Sequence, residues 1–156
     1  MLAHAFDCRR TALYCKTGFC TAFRQNNATA IEKGFNAYLQ KTISIRDTNI
    51  QKERKENFYH GILLGILSSM DDWNVRSNME SGDGYCDITV EIDESQLGFV
   101  IELKYAENAA FDTACKEALQ QIYDRNYEEQ LVDDGMKTIY HYGIACYKKR
   151  CKVLCI

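Results

Sequence analysis

Residues 86–104 leave this chain the least freedom. The runs 86–92 (CDITVEI) and 97–104 (LGFVIELK) are β-branched and apolar, and four polar residues, Asp93-Glu94-Ser95-Gln96, separate them. Two such runs at that spacing read as a β-hairpin. With Ile92 set opposite Leu97, Asp87 falls opposite Glu102. Directly opposed residues share a face of the sheet, their Cβ atoms about 5 Å apart. Glu102 and Lys104, two apart on one strand, share that face as well. The register therefore gathers Asp87, Glu102 and Lys104, with a slack of one or two residues. Opposed carboxylates repel and weaken a hairpin, an arrangement that makes sense around a divalent cation such as Mg²⁺. A lysine beside that cation can orient an attacking water and stabilise developing negative charge. The same residues also suit a surface hairpin with a cross-strand ion pair, and pattern alone leaves both readings open.

The flanking periodicities give the order helix, three strands, helix, two strands. Residues 29–42 place Ile31, Phe35, Tyr38 and Leu39 on one stripe, and residues 50–70 repeat Phe58, Ile62, Ile66 and Met70 every four. Asp47-Thr48-Asn49 offers an N-cap for that second helix. Residues 74–79 are extended, and Ser81-Gly82-Asp83-Gly84 is a turn. A helix over 107–125 buries Phe111, Cys115, Ala118, Leu119 and Ile122. Strands at 138–147 and 151–156 flank a basic turn, Lys148-Lys149-Arg150. Residues 1–30 form an N-terminal segment of uncertain structure, and 31–156 are one α/β domain.

Composition excludes several classes. At 46% apolar and 12% aromatic, a disordered chain is ruled out. No apolar stretch approaches the roughly 18–20 residues of a membrane span. The N-terminus has no secretory pattern, so a cytoplasmic protein is expected. The formal charge of −3 argues against a wholly basic nucleic-acid binder. That charge is uneven: residues 31–134 hold 10 basic and 21 acidic groups, whereas 135–156 hold five basic groups and no acid. Acids gathered between basic ends suit a cation site beside a phosphate-binding edge. The eight cysteines form no CxxC pair, and none of the three histidines stands at zinc-finger spacing from a cysteine pair, so reduced, buried thiols are expected.

The pattern Asp87, then Glu102-Leu103-Lys104 after the apolar FVI, resembles the PD-(D/E)XK nuclease superfamily. The blocks ENFYHGILLGIL (56–67), NMESGDGYCDI (78–88), GFVIELKYA (98–106) and EALQQIYDRNY (117–127) are similar to a bacterial family of that superfamily often found C-terminal to an AAA-ATPase-like domain. The resemblance implies a restriction-endonuclease-like core, a central mixed sheet of four or five strands with helices on both faces. It implies a Mg²⁺- or Mn²⁺-dependent nuclease that hydrolyses phosphodiester bonds, of DNA rather than RNA. Asp87, Glu102 and Glu56 would ligate metal, Lys104 would be the catalytic lysine, and Gln121 would belong to the catalytic set. His60 and Tyr127 would be site neighbours. His60 reads rather more readily as a satisfied helix histidine, Tyr127 equally as a core tyrosine, and Gln120 cannot be separated from Gln121 by pattern. Where relatives often carry an arginine before the aspartate, this chain has Tyr85-Cys86. By the same analogy, a homodimer and an AAA-ATPase-like partner are conceivable partners, and a membrane is not.

Lys148, Lys149, Arg150 and Lys152, with Arg9 and Arg10, would contact the nucleic-acid backbone non-specifically. An ordinary solvated hairpin tip suits the turn slightly better, since such edges favour lysine. The rival to an enzyme is a catalytically inactive nuclease-fold module that binds a protein or nucleic-acid partner, since fold does not fix function.

Overall fold

Ile92 pairs with Leu97, Val90 with Phe99 and Ile88 with Ile101, the register expected from the loop length. This hairpin is the centre of a computed structural model that describes residues 17–49, 51, 54–82 and 84–156. Its strands are β1 (Asn74–Ser81), β2 (Gly84–Ile92), β3 (Leu97–Tyr105), β4 (Thr138–Tyr147) and β5 (Arg150–Cys155), hydrogen-bonded in that order. Only β3 and β4 run parallel. A parallel step needs a crossover, and α4 (Phe111–Asp124) with the short α5 (Glu129–Asp133) supplies it. The opposite face is covered by helical residues 17–24 (α1), α2 (Ala28–Thr42) and α3 (Lys55–Leu67). The mixed sheet with helices on both faces is the architecture expected from the sequence.

Two apolar layers follow from the period of two along each strand. Phe99, Ile101 and Leu103 of β3 pack with Ile88, Val90, Tyr142 and Ile144 beneath α1–α3. Phe99 is the hub, its ring centre 5.4 Å from Trp73, 5.9 Å from Tyr142 and 6.0 Å from Phe23. Val100, between those β3 residues, buries on the other side with Ile122, Tyr127, Leu131 and Met136. Gly143 lets α4 approach: a Cβ there would press into the Cys115 carbonyl.

One expected cap is different. Asp47 does not start the helix; its carboxylate accepts from the Ser44 N–H at 2.6 Å and closes a 3₁₀ turn over Ile45–Thr48. A short acid near its own backbone prefers that local bond. Helix α3 begins only at Lys55, with no side-chain cap. The basic turn also narrows to Lys148-Lys149, because β5 already starts at Arg150. Among the described residues, no helix is long and apolar enough to cross a membrane.

Candidate active site

The sheet comes apart at Asp87. On the β1 side the ladder joins Ser77 to Ile88 and Met79 to Cys86 but omits the pair Asn78–Asp87. The paired positions keep the same sum on both sides, so no residue is inserted and the ladder is interrupted rather than shifted. Asn78 takes a left-handed φ of 50° at the break, a conformation asparagine tolerates better than most residues. On the β3 side the ladder stops at Ile88–Ile101. The strand rolls at this point. Cys86 buries against Val100 and Tyr127, while Ile88, two residues later, buries on the opposite face.

Amides freed by the splay need other partners, and carboxylates provide them. The Leu103 N–H donates to Asp87 Oδ2 at 2.8 Å, and the Tyr105 N–H to Glu56 Oε1 at 3.0 Å. The Asp87 N–H points to Glu102 Oε2 at 3.4 Å. The Asp87 carbonyl lies 3.0 Å from His60 Nε2, which is also 3.1 Å from Ser77 Oγ. Glu56 and His60 stand one turn apart on α3, so one face of that helix serves both the end of β3 and the break in β2.

Lys104 lies on the other side of Glu102. Its Nζ donates to Gln121 Oε1 at 2.7 Å and to Glu102 Oε1 at 3.3 Å. Gln121 Nε2 donates to Glu102 Oε1 at 2.6 Å and to the Tyr127 hydroxyl oxygen at 3.1 Å. The amide thus bridges lysine, glutamate and tyrosine, and its two ends fix which way it faces. Gln120 points away and bonds the exposed Asp124 at 2.7 Å. The geometry separates the two glutamines where pattern did not. The turn before β2 rests on the same region: Gly82 has φ 55°, and a Cβ there would strike the Arg125 and Asn126 carbonyls.

Burial sets the electrostatics. Glu102 is 2% exposed. Desolvation first, and the nearby Asp87 charge second, push its carboxyl up to about 7, against the pull of Lys104. Burial also raises Asp87, opposed by the Leu103 N–H and by His60 and Lys104, and reinforced by the charge of Glu56. One buried and one half-buried carboxylate are held together with one ammonium beside them, a cluster short of positive charge. Hard oxygen donors of this kind suit Mg²⁺ or Mn²⁺, which draw most of their remaining ligands from water and phosphate. Among the described residues, no three acids, histidines or cysteines stand together as a ready-made metal cage. Asp87 and Glu102 would offer such an ion two carboxylates and leave its other positions to water or phosphate.

The basic residues near the C-terminus are dispersed. Lys152 pairs with Asp112 at 2.7 Å, Lys149 donates to the Gln40 carbonyl at 2.8 Å, and Arg150 lies over the Phe111 ring. Lys148 is exposed and lies over Tyr147. Arg9 and Arg10 lie outside the described residues, as do Cys8 and Cys15. The six described cysteines are free, five of them buried. Burial raises the Cys86 thiol to about 12 and Cys115 to about 11, so neither is a thiolate at neutral pH. Sequence reasoning missed Ser77, whose hydroxyl meets His60. Nothing in a strand serine's neighbours signals such a bond.

A search of curated proteins finds no match to the chain. A family model described as the PD-(D/E)XK nuclease superfamily matches residues 54–155, which run from the start of α3 to the end of β5 and include every residue of the cluster above. The chain belongs to the PD-(D/E)XK nuclease superfamily.

Proposed function

We propose that this protein hydrolyses phosphodiester bonds of nucleic acid, DNA before RNA, with Mg²⁺ or Mn²⁺ held by Asp87 and Glu102. The unit taken to carry the activity is residues 31–156. The observation that supports it most is the buried Glu102 beside the half-buried Asp87, with Lys104 tied to Glu102 by Gln121. A pair so costly to desolvate has little structural purpose without a cation.

A bound Mg²⁺ or Mn²⁺ supplies charge to polarise the phosphate and to lower the pKa of a water. Asp87 and Glu102 hold that ion, and Glu56 adds negative charge beside Asp87 while bonding the Tyr105 amide. Lys104 presents an ammonium, fixed by Gln121 and Glu102, to orient the attacking water and to meet charge that develops on the phosphate oxygens. Gln121 keeps that ammonium aimed, and Tyr127 keeps Gln121 aimed. His60 holds the Asp87 backbone in its break. Lys148, Lys149, Arg150 and Lys152 supply at most non-specific backbone contacts.

The test is incubation with plasmid, single-stranded DNA and RNA, in Mn²⁺ and in EDTA. Metal-dependent cleavage that disappears in Lys104→Ala is expected. Cleavage that survives chelation overturns the mechanism. No cleavage of any substrate, with no rise in melting temperature on adding Mn²⁺, selects the inactive binding module.

A further inference from the structure

A concave feature lies at the same end of the sheet as the carboxylates, past β3 and β4. It is a groove of about 320 Å³, lined by Tyr105, Tyr147, Lys55, Lys148, Arg46 and the rim residue Ile45, among others. That volume falls at the lower end of small-ligand sites. We propose that this groove is a subsite for one unpaired nucleotide of a nucleic-acid strand that enters or leaves the candidate active site. The inference rests on the nuclease reading above and adds to it a substrate form, an unpaired strand.

Charge is the first argument. The groove carries three cations, and no carboxylate is among its described lining residues. It does so in a chain whose central part is strongly acidic. Phosphate is the ligand group that such a concentration of cations recognises.

Aromatic surface is the second. The Tyr105 and Tyr147 rings lie 5.7 Å apart at 44°. Lys55 Nζ is 4.5 Å from the Tyr105 ring centre, and Lys148 Nζ is 5.2 Å from that of Tyr147. Cations interleaved with rings offer a backbone contact and a stacking surface within one nucleotide's length, the combination used for single strands without sequence preference. Ile45 is 61% exposed at the rim and adds apolar surface against which a base can lie.

The groove is also built rather than loose. The buried Tyr59 donates its hydroxyl to the Lys148 carbonyl at 2.6 Å, which pins the turn. The Ser44 capping box closes the wall carrying Ile45 and Arg46. The Tyr105 amide is held by Glu56.

Position decides in favour of an unpaired strand. Lys55 and Tyr105 adjoin Glu56 and Lys104 in sequence. Side chains alternate along a strand, so Tyr105 and Lys104 project to opposite sides of the end of β3. A chain that reaches both must turn around that end. A single strand can do so, and a stiff duplex cannot without paying a bending cost.

The experiment measures anisotropy of a labelled oligothymidylate with Glu102→Gln protein in EDTA, so that binding is read without cleavage. Tyr147→Leu in that background should bind about tenfold more weakly, Tyr147→Phe should bind normally, and melting curves check that each folds. Arg46→Ala and Lys148→Ala should each lower the slope of log affinity against log salt by about 0.7. Unchanged affinity in Tyr147→Leu overturns the subsite, as does equal competition by polyglutamate or by a blunt duplex. The two readings fail separately. If Tyr147→Leu in otherwise unsubstituted protein both binds and cleaves circular single strands normally in Mn²⁺, the subsite falls and hydrolysis stands. Tyr147-dependent binding with no cleavage by the unsubstituted protein keeps the subsite and removes hydrolysis.

Discussion

Asp87 and Glu102 each occupy the other strand's backbone: Asp87 Oδ2 accepts the Leu103 N–H at 2.8 Å, and Glu102 Oε2 faces the Asp87 N–H at 3.4 Å. Side chains replace the ladder bonds that would otherwise zip β2 to β3. The carboxylates are thus both the wedge that opens the strands and the proposed chemical groups inside the opening.

Removing the ammonium should abolish turnover without unfolding the protein. Lys104→Ala and Glu102→Gln are each expected to reduce the rate of plasmid nicking in Mn²⁺ by about 10²–10³-fold, the scale of losing one preorganised electrostatic contact. Initial rates compared with circular dichroism melts check this, and a fully active Lys104→Ala contradicts the assignment.

The pair should make stability depend on pH in the unusual direction. The Glu102 carboxyl titrates near 7 when folded, against an ordinary value of 4.5. Between those values the folded chain keeps a proton that the unfolded chain has lost. The protonated group's advantage is therefore present at the acid end and is lost as pH rises through about 7. Its size is up to about 3 kcal/mol. In EDTA the melting temperature should fall between pH 5 and pH 8, millimolar Mn²⁺ should restore it at pH 8, and Glu102→Gln should flatten both effects. Differential scanning fluorimetry across this range is sufficient.

Gln120 and Gln121 form an internal control. Gln121→Ala removes the group that binds Lys104, Glu102 and Tyr127 together and should lower cleavage about tenfold to a hundredfold, an effect on kcat more than on KM. Gln120→Ala loses one exposed bond to Asp124 and should be silent. Equal effects of the two would place the helix face wrongly.

His60→Ala should act through Asp87. Losing the bond to its carbonyl should cost about 1 kcal/mol of stability and lower kcat, while His60→Asn, which keeps a donor, should recover part of both. A His60→Ala protein with full activity and full stability would make that bond incidental.

Much of this was readable in advance for an identifiable reason. Four polar residues between CDITVEI and LGFVIELK leave a hairpin few registers, and the alternation of Phe99, Val100 and Ile101 tells the two faces apart. Ile92 opposite Leu97 followed directly. The interruption at Asn78 was not readable, because a left-handed residue inside a strand leaves no periodic trace. Nor was the binding of His60 to the Asp87 backbone, a contact between elements that only the fold brings together. Asp47 was misjudged because a short acid caps either of two adjacent turns equally well on paper, and its own 3₁₀ turn was the nearer one. The basic run 148–150 suits either a backbone-contacting edge or a solvated hairpin tip by pattern, and only the fold shows that an extended strand and its turn send Lys149 and Arg150 to different neighbours.

The roll of β2 at Asp87 has a consequence for anyone who would move this site elsewhere. A residue at which a strand changes sides has no neighbouring backbone to hold it, so its amide and carbonyl are served by Glu102 of β3 and His60 of α3. Transplanting the β2–β3 hairpin alone would carry the acids without their aim. The smallest portable unit is three elements, helix included.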